Sequence, residues 1–127
     1  MRPCRHGFSR PRVLIIEDEG LILAIMVEML TDEGYEVQPA GDGRQALDLM
    51  QSWLPCLILL DIMMPVMDGY ALLEELAVRK DLASIPVVLV SAAGGPLLSD
   101  VSMRVADVIR KPYDLDRLVV TVEEHVT

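Results

Sequence analysis

A chain of 127 residues with 52% hydrophobic and only 4% aromatic residues has the apolar mass for one aliphatic core. Its net charge of −9 is unevenly spread, because Arg2, Arg5, Arg10 and Arg12 stand in the first twelve residues without an acid. The remainder holds 7 bases against 20 acids, and so acidic a body repels nucleic acid phosphates, which argues against direct DNA binding.

Residues 1–11 read as a flexible basic tail that lacks the apolar stretch of a signal peptide, and residues 12–127 as one domain. The apolar run Val13–Ile16 predicts a first strand. Leu21–Leu30 predicts a helix stopped at Gly34, a residue suited to a left-handed helix end. Leu21 to Val27 carries no polar residue, yet Glu28 ends the run well short of a membrane span. Tyr35–Val37 predicts a second strand, and Arg44–Trp53 a second helix capped by Asp42 and ended before Pro55. Leu57–Leu60 is a third strand, followed by a helix over Tyr70–Arg79 with Asp68 available as cap. Val87–Val90 and Val108–Ile109 complete the strands, and Leu115–Val126 forms a last helix with Asp114 at its start. Cys4 and Cys56 match neither a disulfide framework nor a zinc site, so both are expected as reduced thiols in a cytoplasmic protein.

Strands alternating with helices imply parallel pairing and crossover connections. In open parallel sheets ligands gather beyond the carboxyl ends of the strands. Glu17 and Asp18 end the first run, Asp61 the third and Ser91 the fourth, while Lys111 follows the fifth. Three acids, a hydroxyl and an amine, far apart in sequence, are thus expected on one rim. Solvated loop acids or helix caps would not account for that coincidence. Gathered carboxylates repel one another, which a bound cation offsets, and an all-oxygen donor set favours Mg²⁺ over zinc. A carboxylate can attack phosphorus to form an acyl phosphate. Lys111 offers a charge and Ser91 a donor to the phosphoryl oxygens.

The stretch Asp61-Ile62-Met63-Met64-Pro65-Val66-Met67-Asp68-Gly69 resembles the signature D-x-x-M-P-x-M-D-G of bacterial response-regulator receiver domains. Ile16-Glu17-Asp18-Glu19, Val90-Ser91-Ala92 and Lys111-Pro112-Tyr113 resemble the family's acidic pair, hydroxyl strand and lysine-proline turn, and the match covers about residues 12 to 126. The resemblance implies a flavodoxin-like, doubly wound five-stranded parallel sheet in the order 2-1-3-4-5 with helices on both faces. It also implies a phosphoacceptor rather than an enzyme. Asp61 would take a phosphoryl group from a sensor histidine kinase or a histidine phosphotransfer protein. Asp18 would ligate Mg²⁺ directly, Glu17 through water, and the Met63 carbonyl would complete the protein ligands; Ser91 and Lys111 would hold phosphoryl oxygens. Output is then expected through contacts with a downstream protein, or as a phosphate shuttle.

Two regions depart from the family pattern. Val108 stands three residues before Lys111, where most receivers place an aromatic ring that moves on activation. Gly94, Gly95 and Pro96 interrupt the start of the fourth helix, which is expected to be short or irregular and confined to Leu97–Arg104. The first helix adds a third feature. With Leu21, Ile22, Ile25, Met26, Met29 and Leu30 as its core stripe, Leu23 and Val27 remain outside. That pair is expected to dock a helical kinase, a phosphotransfer bundle or a second copy of the chain. Rival readings are a pseudo-receiver that no longer uses phosphate, a hydrolase working through an aspartyl phosphate, and an FMN-binding module. Met63 stands where such hydrolases often carry a second acid, and no Gly/Ser/Thr-rich phosphate loop follows the first strand.

Overall fold

The five apolar runs become five strands of one parallel sheet. The computed structural model describes residues 10–61, 69–91, 105–110 and 115–126. Along them run β1 (Arg12–Ile16), α1 (Gly20–Asp32), β2 (Glu36–Ala40), α2 (Gly43–Leu49), β3 (Leu57–Asp61) and α3 (Gly69–Val78). β4 (Val87–Ser91), β5 (Asp107–Arg110) and a last helix, α4 (Leu115–His125), complete them. The strand order is β2-β1-β3-β4-β5, the expected doubly wound, flavodoxin-like arrangement. The fourth helix expected at Leu97–Arg104 lies outside the described residues.

Side chains alternate across the sheet and so build two cores. Leu14, Ile16, Ile58, Leu60 and Leu89 pack with Ala46 and Leu47 of α2 and with Leu72, Leu73 and Leu76 of α3. Val13, Ile15, Leu57, Leu59, Val88 and Ile109 face the other way, onto Met26 and Leu30 of α1 and Leu118 and Val122 of α4. Residues buried on both faces of a strand are what a sheet covered by helices on each side requires. Val108 is half-buried against the first of these cores, at the level of Leu89.

Local chemistry sets the helix ends. At α1, Gly34 adopts a φ of 99°, and the amides of Gly34 and Tyr35 donate to the carbonyls of Thr31 and Leu30. At α2, the Asp42 carboxylate accepts from the Gln45 amide at 2.9 Å, while the Gln45 side chain accepts from the Gly41 amide. The helix ends at Leu49 rather than at Trp53, and a turn carries the chain to Trp53, whose indole packs on the first core. β2 begins at Glu36 and runs to Ala40, later than the apolar run suggested, because its pairing with β1 sets its limits.

The face of α1 is a correction. Leu23 and Val27, expected outside, are half-buried against the second core, whereas Leu21 is 71% and Ile25 43% exposed. Met26 and Leu30 fix the inward direction, and a helix apolar all round its first two turns offers no polar face from which to read that phase.

At the amino ends of the strands, Glu36 is held from two sides. Arg12 Nε lies 3.0 Å and Trp53 Nε1 2.8 Å from Glu36 Oε2, and the Arg12 guanidinium stands 5.4 Å from the Trp53 ring centroid. At the start of β5, Asp107 accepts from the Val108 amide at 2.8 Å and stands 3.2 Å from His125 Nε2. Burial acts to raise the Asp107 pKa, but the Val108 amide, His125 and Arg117 together hold it below the ordinary carboxylate value.

Candidate functional site

Sheet register alone brings two of the expected acids together. β1 pairs with β3 from Val13 opposite Leu57 to Ile16 opposite Leu60. One further step at the same offset brings Glu17 level with Asp61. Both acids are in phase with residues of one sheet face, Glu17 with Val13 and Ile15, Asp61 with Leu57 and Leu59. Adjacent strands lie about 4.8 Å apart, so the two carboxylates must be neighbours.

Asp18 joins them from the turn after β1. One carboxylate oxygen from each of Glu17, Asp18 and Asp61 lies within 4.8 Å of the others. Glu17 is 4% and Asp61 9% exposed, while Asp18 faces solvent. The Glu17 amide donates to the Ala40 carbonyl at 3.0 Å, extending the β1–β2 ladder past the end of the strand. The Glu17 side chain turns back, and its Oε2 accepts from the Asp18 amide at 3.0 Å. Asp18 does not cap α1, since the N-cap position is Glu19, in extended backbone and without a side-chain cap bond.

Two unit charges at such a separation repel by roughly 3 kcal/mol at an effective dielectric of about 20, and by less where one is as exposed as Asp18. A mutually repelling set of three oxygen donors, two of them buried, is suited to a hard divalent cation. The donor set therefore fits Mg²⁺, a cation that takes oxygen ligands.

The remaining expected residues stand as follows. Ser91 ends β4, one residue beyond Val90, which pairs with Asp61, and opposite Arg110 of β5. The chain order thus places Lys111 directly after the last residue of β5. Lys111, Met63 and the cap candidate Asp68 lie outside the described residues. Sequence reasoning missed two features. The Glu17–Asp18 hydrogen bond was hidden because two successive acids give no sign of which turns inward. Strand alternation supplies that sign, since Glu17 continues the phase of Val13 and Ile15. The Asp107–His125 pair, 18 residues apart, is a tertiary contact with no motif spacing.

A family model described as "Response regulator receiver domain" matches residues 13–123. The probable transcriptional regulator ycf27 of Guillardia theta is 35% identical over 107 residues, 83% of this chain and 41% of that protein. The sensor histidine kinase TmoS of Ectopseudomonas mendocina is 36% identical over 112 residues, 87% of this chain and 11% of that protein. The chain thus spans at most about two fifths of the length of these two curated relatives. Among solved structures, the signal receiver domain of a signal transduction histidine kinase from Syntrophus aciditrophicus superposes with a TM-score of 0.80. It is 30% identical, with 91% of this chain and 89% of that chain covered.

Proposed function

The chain belongs to the response regulator receiver domain family, and from that premise we propose that Asp61 accepts a phosphoryl group from a phosphohistidine in a Mg²⁺-dependent reaction. Receiver domains are phosphoacceptor signalling modules rather than conventional enzymes, and their partners are histidine kinases. The observation that carries the reading is the meeting of Glu17, Asp18 and Asp61 at the carboxyl ends of β1 and β3.

In this reading an Asp61 carboxylate oxygen attacks phosphorus. The bond between phosphorus and the donor imidazole nitrogen breaks, and its electron pair leaves with the imidazole. The product is an aspartyl phosphate and a free histidine. Asp18 and Asp61, with the Met63 carbonyl, would hold the cation, and Glu17 would reach it through water. The chemistry Mg²⁺ supplies when bound is neutralisation of the negative charge shared by phosphoryl group and carboxylates. Ser91 donates to one phosphoryl oxygen and Lys111 pairs with another. Asp61 is only 9% exposed, which limits the contact of the acceptor with bulk water. Val108, half-buried and aliphatic, cannot relay the change by swinging a ring, so output passes through another route, or the domain shuttles phosphate onward.

Incubation with acetyl phosphate and Mg²⁺, followed by intact-mass measurement, tests the proposal. The wild type should gain one phosphoryl group and Asp61→Ala none. No incorporation in the wild type would favour a pseudo-receiver, and repeated turnover of a phosphoester would favour a hydrolase.

A further inference from the structure

Glu17 is an acid at a metal site whose side chain is partly committed elsewhere. Its Oε2 lies 3.0 Å from the Asp18 amide nitrogen, its own amide is tied to the Ala40 carbonyl, and the residue is 4% exposed. Asp18, by contrast, is exposed and sits in the turn between β1 and α1, where helix capping does not restrain it. An exposed carboxylate on an unrestrained peptide would sample many directions, and each would have to be given up when a cation binds. A hydrogen bond from its own amide to a buried, sheet-anchored acceptor removes part of that freedom in advance. Partners of this kind, which orient a ligand without occupying the metal, strongly affect metal affinity.

We propose that Glu17 is a positioning residue, whose carboxylate, by accepting the Asp18 amide, pre-orients Asp18 for the cation. The inference rests on the reading of the acidic cluster as a Mg²⁺ site and goes beyond it by giving Glu17 a task separate from its charge.

Glu17→Gln and Glu17→Met separate the two tasks. Both are neutral and of similar length, and only glutamine keeps an acceptor. Both variants should bind Mg²⁺ less tightly than the wild type by calorimetry, since both lose the charge. Glu17→Gln should nevertheless bind about fivefold more tightly than Glu17→Met, the worth of one neutral hydrogen bond. The Asp18 amide proton, read by NMR without metal, should keep its hydrogen-bonded chemical shift in Glu17→Gln and lose it in Glu17→Met. Equal affinities for the two variants, with an unmoved Asp18 amide, would overturn the positioning role while leaving the Mg²⁺ site intact. A wild type that binds no Mg²⁺ would overturn the site reading and this inference with it.

Discussion

The two ends of the sheet treat charge in opposite ways. At the amino ends, Glu36 is met by Arg12 and by the Trp53 indole, so each charge has a partner and the assembly ties β1 and β2 to the segment after α2. At the carboxyl ends, Glu17, Asp18 and Asp61 are gathered against one another, two of them buried. The first arrangement lowers the energy of the folded chain as it stands. The second brings like charges together, an arrangement suited to a hard divalent cation. The same fold therefore pairs opposite charges at one end and gathers like charges at the other.

That contrast can be broken by experiment. The largest effect should come from the acidic end. Mg²⁺ at a hundredfold excess over its Kd should stabilise the wild type by about 2.7 kcal/mol in thermal unfolding. Asp18→Asn should abolish most of that gain, and without metal it should be no less stable than the wild type, because a repulsion is removed. A marked loss of stability in metal-free Asp18→Asn would show that the acids are structural.

At the other end the effects should be smaller. Glu36→Gln should cost at most about 1 kcal/mol at low salt, as expected for a pair whose side chains are 42% and 46% exposed. It should change Trp53 emission, yet leave Mg²⁺ affinity unchanged. A Glu36→Gln variant with weakened Mg²⁺ binding would mean that the two ends are coupled. The smallest effect concerns Asp107. Folding favours its ionised form, so its contribution is present above about pH 4 and lost as pH falls through the lower folded value. Asp107→Asn should flatten that part of the acid limb of a stability–pH profile. An unaltered limb would remove Asp107 from the account.

Much of this was legible in the chain. Buried central strands announce themselves as unbroken apolar runs, and Leu57–Asp61 and Val87–Ser91 follow the runs predicted for them to within a residue. Strand ends then locate Glu17, Asp18 and Asp61 before any coordinate is known. What was not legible depends on contacts that leave no periodic mark. β2 is an edge strand whose Glu36, Gln38 and Pro39 are not buried, so register against β1 rather than hydrophobicity defines it. α1 carries too many apolar residues to declare its phase, and only packing on the sheet, against β1 and β2, selects Met26 and Leu30 as the inward pair. Trp53 was expected at a helix end, but the turn after Leu49 delivers its indole to Glu36 instead.

The proposed acceptor chemistry places one phosphoryl group on Asp61 alone. Peptide mapping after phosphorylation with acetyl phosphate and Mg²⁺, with borohydride reduction of the acyl phosphate, tests it most directly. The account predicts that the reduced residue is Asp61 alone, and that omitting Mg²⁺ abolishes the product. Reduction at Glu17 or Asp18 instead, or the same yield without Mg²⁺, would contradict it.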